Sequence, residues 1–204
     1  MPLSRRILMM APAVLLPFGA KREALAQDAD PRLAERGAGK PDAKVTVIEY
    51  FSLTCSHCAA FHRDTWPQVK KELVETGRIR MVWRDFPLDQ LALAGAQVAR
   101  AMPPAAYEAF TGALLSTQER WAFNRNADSI AEIAKVAAMA GMSRAQVDAA
   151  IADEGLRRAV LETRLKGEQE HRVNSTPTFV FNGKPAPGSL NYDRFAELAG
   201  EAGA

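Results

Sequence analysis

The chain has 204 residues, 48% of them hydrophobic and 25% charged, with 26 Lys and Arg against 24 Asp and Glu. That length fits one domain, or one domain carrying an insertion, and can bury a core without disulfide staples. Four basic residues (Arg5, Arg6, Lys21, Arg22) and one acid (Glu23) lie in residues 1–26, so 22 basic and 23 acidic residues remain beyond them, and nucleic acid is not an expected partner.

Residues 1–26 read as a signal peptide. Arg5 and Arg6 form a basic start, Ile7 to Ala20 a mostly apolar run broken by Pro12 and Pro17, and Ala24-Leu25-Ala26 a small-x-small site with cleavage near Ala26. The run falls short of the roughly 20 apolar residues of a spanning helix. Ser4-Arg5-Arg6 with Leu8 resembles a twin-arginine signal, although Met9 and Met10 depart from it, and Lys21 and Arg22 disfavour the general secretory (Sec) route. Both routes lead out of the bacterial cytoplasm, so the expected location is periplasmic.

Residues 27–43, rich in Ala, Gly, Asp and Pro, are expected to form a flexible leader ending at Gly39-Lys40-Pro41-Asp42. Val45 to Phe51 (VTVIEYF) has the β-branched, nearly continuous apolarity of a central strand covered on both faces. Glu49 sits in its middle, where a carboxylate is costly unless it has a partner or a task. Ser56 to Thr76 follows as a helix, with Ala59, Phe61, Trp66, Val69 and Leu73 on its buried side. Pro67, which has no N–H to donate, should kink it, and Gly77 closes it. Ile79 to Phe86 is a second strand, stopped by Pro87. Strand, helix and strand in this order predict a βαβ unit with parallel strands.

Residues 88–170 change to apolar residues at helical spacing, and three to five helices fit, with breaks at Pro103-Pro104, around Asn124 to Asn126 and at Gly141. Trp121 and Phe123 are read as buried core aromatics in preference to a client surface. The end of the chain returns to sheet. Thr178 to Phe181 is a short strand, Asn182-Gly183 a hairpin turn and Lys184 to Ala186 the start of a return strand, before Asn191 caps a final helix through Leu198.

Both cysteines of the chain lie in Cys55-Ser56-His57-Cys58, where the first strand runs into the helix. A bridge across two residues constrains the unfolded chain too little to be a structural staple. At the helix start, Cys55 faces unpaired backbone N–H groups and the positive end of the helix dipole, both of which favour the thiolate. His57 adds positive charge or a hydrogen bond beside the sulfur. A stabilised Cys55 thiolate makes a Cys55–Cys58 disulfide comparatively oxidising. Metal binding is the competing chemistry, since two thiolates with His57 or His62 suit zinc or copper(I). No second Cys pair exists, His171 is the remaining histidine, and His57 should point away from the shared face of the cysteines. No metal and no organic cofactor are therefore expected.

Three motifs in order, I-E-Y-F-S-L-T-C-S-H-C-A-A-F-H, R-D-F-P-L at Arg84 to Leu88 and S-T-P-T-F-V-F-N-G at Ser175 to Gly183, resemble the DsbA-like thioredoxin-fold proteins. The resemblance runs from about Lys40 to Ala199. It implies an α/β protein, a thioredoxin fold over residues 44–87 and 171–200, with 88–170 as an inserted helical domain. It further implies that Cys55 and Cys58 form the redox-active disulfide and that Thr176-Pro177 is a cis-proline loop that offers backbone to a client. Glu49 matches the family's buried acid, with the implied task of exchanging protons with Cys58. Ser56 departs from the Pro of the most familiar members, and the residue before the cis-proline, here Thr176, varies among them; both positions bear on redox potential.

The function this implies is the introduction of disulfides into reduced exported client proteins, with reoxidation by a quinone-linked membrane oxidase. A client thiolate opens the disulfide at Cys55, Cys58 departs, and a second client thiol completes the exchange. The chain is expected to act as a monomer, because it has no room for the N-terminal dimerisation domain of envelope isomerases. The alternatives are a client-specific reductase or isomerase on the same fold, and a copper-binding CxxC module without turnover.

Overall fold

The computed structural model describes residues 30–204; the signal peptide expected over residues 1–26 lies outside them. A five-stranded sheet has β1 (Arg36–Ala38), β2 (Val45–Phe51), β3 (Ile79–Asp85), β4 (Thr178–Phe181) and β5 (Lys184–Pro187) in the order β1-β3-β2-β4-β5. As the βαβ pattern predicts, β2 and β3 are parallel, with Glu49 level with Trp83. On its other side β2 pairs antiparallel with β4, where Glu49 stands opposite Phe179. The central strand therefore has no edge by which a side chain can reach water.

Period-two alternation sends Val45, Val47, Glu49 and Phe51 to one face and Ile48 and Tyr50 to the other. The first face meets the large core, where Phe61, Trp66, Leu73, Met81, Phe179, Phe181 and Phe195 are buried together. The second face packs Tyr50 with Phe86, Val173 and Val180. Over it runs α8 (Glu154–His171), which comes so close that a Cβ on Gly167 would stand 2.5 Å from the Tyr50 ring.

The helix expected over Ser56 to Thr76 is divided into α1 (Ser56–Asp64), α2 (Trp66–Val69) and a π-type turn at Lys70–Val74. The break falls at Thr65, two residues before Pro67. The proline ring excludes the carbonyl four residues back, and its missing N–H leaves that carbonyl unpaired. At the break, the Thr65 hydroxyl donates to the Leu190 carbonyl at 3.1 Å and ties the kink to the loop before the last helix. Gly77 closes the segment with φ +76°, a conformation that favours glycine.

One part of the expected flexible leader is ordered in the sheet. Arg36–Ala38 pairs antiparallel with β3, and its approach is so close that a Cβ on Gly37 would collide with the Met81 carbonyl oxygen. Ahead of it, Pro31–Leu33 makes a 3-10 turn whose Arg32 forms ion pairs with Asp30 and Asp153.

Between β3 and β4 six helices form, one more than the upper end of the expected range: α3 (Gln90–Ala101), α4 (Tyr107–Ser116), α5 (Gln118–Trp121), α6 (Ser129–Met139), α7 (Arg144–Ala152) and α8. The interruptions at Pro103-Pro104, Asn124–Asn126 and Gly141 fall where expected. Two further breaks come at Thr117 and at Asp153, whose side chain accepts from the Leu156 N–H and starts α8 at once. Trp121 is buried and donates its indole N–H to the Leu114 carbonyl, whereas Phe123, expected in the core, is 46% exposed. The last helix, α9 (Tyr192–Gly203), is capped by Asn191 as expected and runs five residues beyond Leu198.

Candidate active site

Cys55 ends the loop after β2 and is the N-cap of α1, with extended backbone and its carbonyl accepting from the Ala59 N–H at 3.1 Å. Cys58 lies one turn further on, and both side chains are thiols. Cys58 is 0% exposed. Cys55, the sulfur that a client thiolate is expected to attack, is 8% exposed, because the Thr176-Pro177 loop covers it: the Cys55 thiol donates to the Thr176 carbonyl at 3.2 Å. The Thr176-Pro177 peptide is cis. The residues quoted from two distant motifs thus meet at one sulfur.

The two thiols are driven apart in acidity. Cys55 is pulled from 9.0 down to about 5, first by the Cys58 thiol as donor and further by the Thr176 side chain and the backbone N–H groups of Cys58 and His57, against the opposing effect of burial. The Thr176 hydroxyl has no hydrogen-bond partner among the described residues, so it is a donor free to turn toward the sulfur once the proton has left. Cys58 is pushed well above 9.0, chiefly by burial, then by its hydrogen bond to Cys55 and by the charge of Glu49.

His57 contributes differently from the expectation. Its side chain points into solvent and makes no hydrogen bond among the described residues; what reaches Cys55 is its backbone N–H. A residue in the first turn beside the N-cap aims its amide at the cap while its side chain projects outward.

Glu49 is 0% exposed and is held by a residue the sequence reading weighed only as a metal ligand. His62 Nε2 lies 3.0 and 3.1 Å from the two carboxylate oxygens, and with Glu49 ionised the Nε2–H donates to both. The signal was available: His62 follows Cys58 by four residues and therefore shares its helix face.

A family model described as thioredoxin matches residues 33–199. The chain belongs to the thioredoxin family. Its fold is that of the DsbA proteins: the crystal structure of alpha-DsbA1 from Wolbachia pipientis superposes with a TM-score of 0.75 at 24% identity, covering 84% of this chain and 96% of that one. BdbD from Bacillus subtilis, in its oxidised form, gives 0.73 at 18% identity, covering 83% and 92%. In sequence, the Rickettsia bellii protein named "Putative protein-disulfide oxidoreductase" is 25% identical over 147 residues, 71% of this chain and 56% of that protein. The chain spans about half the length of the curated relatives it matches.

Within this thioredoxin-family site, a second residue escaped the sequence reading. Gln118, on the single turn α5, is buried and donates its side-chain amide to the Leu53 carbonyl at 2.7 Å and the Cys55 carbonyl at 3.0 Å. The helices between β3 and β4 thereby grip the cysteine loop directly. Nothing in a glutamine at that position announces a contact 63 residues away. Nearer in sequence, Ser52 and Asp89 fix the other side of the loop. The Ser52 hydroxyl accepts from the Leu88 N–H at 3.3 Å, and the Thr54 hydroxyl donates to Asp89 at 2.7 Å. Among the described residues, no group of three His, Cys, Asp or Glu side chains is placed to hold a metal ion, and no helix is long and apolar enough to cross a membrane.

Proposed function

We propose that the protein is a periplasmic thiol–disulfide oxidoreductase that introduces disulfides into reduced exported proteins through Cys55 and Cys58. The observation that carries this reading is the asymmetry of the pair. Cys55 lies at the helix start beside the cis-proline loop with its thiolate favoured, and Cys58 is sealed beneath it with its thiol favoured. A low-pKa thiolate is a good leaving group, so a disulfide that releases it is a good oxidant.

In the oxidised enzyme, a client thiolate forms a bond to Cys55 Sγ. The Cys55–Cys58 bond breaks, and its electron pair goes to Cys58, which Glu49 protonates. A second client thiolate then attacks the client sulfur of the mixed disulfide. Cys55 leaves as the stabilised thiolate, the client is oxidised by two electrons, and the enzyme holds them as its reduced pair. Thr176 and Pro177 border the attacked sulfur and offer the backbone against which a client lies. Reoxidation by a quinone-linked membrane oxidase closes the cycle, and the protein works as a monomer. The Rickettsia bellii relative's name supports the reaction class.

The test is capture of the intermediate. With Cys58→Ser, a client peptide presented as a mixed disulfide with glutathione accumulates covalently on Cys55, the Cys55 thiolate attacking the peptide sulfur and glutathione leaving as its thiolate. Absence of any trapped adduct, in protein that remains folded, contradicts the exchange mechanism.

A further inference from the structure

Glu49 is sealed from water, yet the proposed function requires it to gain and lose one proton in each cycle of the Cys55–Cys58 pair. Refilling that carboxylate from solvent, instead of from Cys58 alone, needs a route through the protein. We propose that His62 is this route: a proton-relaying residue whose Nε2 serves Glu49 and whose Nδ1 serves the groove between α1–α2 and α4. The inference rests on the assignment of Glu49 as the proton partner of Cys58.

The geometry supports a relay over a passive prop. Nε2 contacts both oxygens of Glu49, at 3.0 and 3.1 Å. Nδ1 makes no hydrogen bond to any described residue, although the side chain is only 9% exposed. The ring is fixed between Phe51, Phe61 and Trp66, with centroids 6.0, 5.6 and 6.3 Å away. His62 lines a groove of about 390 Å³ whose charged members are Arg63, Lys70 and Glu108. Lys70 and Trp66 both donate to Glu108, at 2.7 and 3.1 Å, which places an ion pair in the same groove as His62. The groups facing the relay are thus Glu49 from β2, Cys58 and Arg63 from α1, Lys70 from the π-type turn and Glu108 from α4.

An imidazole with two nitrogens in different environments can accept a proton at one while releasing another from the second. When the disulfide opens, Cys58 takes the Glu49 proton, Glu49 recovers one from Nε2–H, and Nδ1 takes one from water in the groove. One solvent proton ends on Cys58. When the pair is reoxidised, the proton passes from Cys58 to Glu49 and on to Nε2, while Nδ1–H leaves to the groove. Opening and closing therefore return the ring to its starting tautomer without rotation, which the surrounding aromatics would hinder.

The experiment measures the rate at which reduced glutathione opens the Cys55–Cys58 disulfide in the full chain, across pH, for His62→Ala, His62→Gln and Glu49→Gln. His62→Ala is expected to open at least about tenfold more slowly, short of the roughly 10²–10⁴-fold contribution of a group that transfers the reacting proton itself, because Glu49 is retained. Added imidazole, which fits the vacated groove, restores the rate. His62→Gln keeps a donor to Glu49 but transmits no proton, so it is slow at an unchanged melting temperature. It carries the test if the alanine variant does not fold. Wild-type rates in either His62 variant, or a deficit in the folded alanine variant that imidazole leaves untouched, overturn the relay while a slow Glu49→Gln preserves the role of Glu49. A wild-type rate in Glu49→Gln overturns the assignment of Glu49 itself.

Discussion

Cys55 and Cys58 carry the same side chain one helical turn apart, and their surroundings give them opposite acid–base behaviour. Donors converge on Cys55, whereas Cys58 has burial and the neighbouring Glu49 against its thiolate. The reduced protein should therefore react with iodoacetamide at one site, with a rate that titrates at about 5; a midpoint near 9.0, the ordinary thiol value, contradicts the arrangement. The same shift makes the stability of the reduced protein depend on pH. Cys55 is more acidic folded than unfolded, so its contribution is fully present above the unfolded value of 9.0 and is lost as pH falls toward about 5. Denaturation of the reduced protein should show stability declining over that window relative to Cys55→Ser. Equal slopes for the two proteins would remove the stabilised thiolate from the account.

At the scale of elements, the cysteine loop is positioned from outside its own βα unit. Gln118 on α5 supplies the donor for the Leu53 carbonyl and a second one for the Cys55 carbonyl. Gln118→Ala leaves a buried acceptor unpaired and should cost about 1–3 kcal/mol in denaturant unfolding. It should also loosen the pair enough to raise the Cys55 titration midpoint. Gly167→Ala tests the other face of the sheet. The added methyl meets the Tyr50 ring, so despite alanine's better helix propensity the variant should lose about 1–3 kcal/mol. Contacts of this kind explain which parts of the fold were legible in the sequence. β2, β3 and the β4–β5 hairpin declare themselves through β-branched runs and Asn182-Gly183, both of which adopt positive φ. β1 does not: Arg36-Gly37-Ala38 has no strand pattern of its own and pairs because the edge of β3 is open and glycine permits the approach. The division of α7 from α8 was equally hidden, since apolar spacing continues across Asp153 and only its capping geometry stops the helix. In the site, the cysteines, Glu49 and Thr176-Pro177 could be read from motifs. His62 ends the first of those motifs one turn from Cys58, so its place on the active-site face was legible and its pairing with Glu49 was not; Gln118 was hidden altogether, because its role arises from the neighbours the tertiary fold brings to it.

On the scale of the whole molecule, the helices between β3 and β4 and the sheet share one core, in which Val47 and Phe61 belong with Leu114, Trp121 and Ile133. A buried polar knot reinforces the seam: Asp85 at the end of β3 accepts from Arg100 Nε of α3 at 2.5 Å and from the Tyr107 hydroxyl of α4 at 2.9 Å. Asp85→Ala strands a buried guanidinium and should cost about 3–5 kcal/mol. Unfolding should remain a single transition by fluorescence and circular dichroism, since the largest core runs through both parts; two resolved transitions would contradict that unity. The shared core and its anchors hold the cysteine loop rigid, so the acidity difference between Cys55 and Cys58 becomes a property of the folded molecule as a redox couple. A stabilised reduced form makes the disulfide oxidising. The most direct measurement is the equilibrium of the Cys55–Cys58 pair with glutathione in the purified protein. The account predicts a potential near the oxidising end of the thioredoxin superfamily, about −120 mV, and a value near about −270 mV, typical of a reductant, would contradict it.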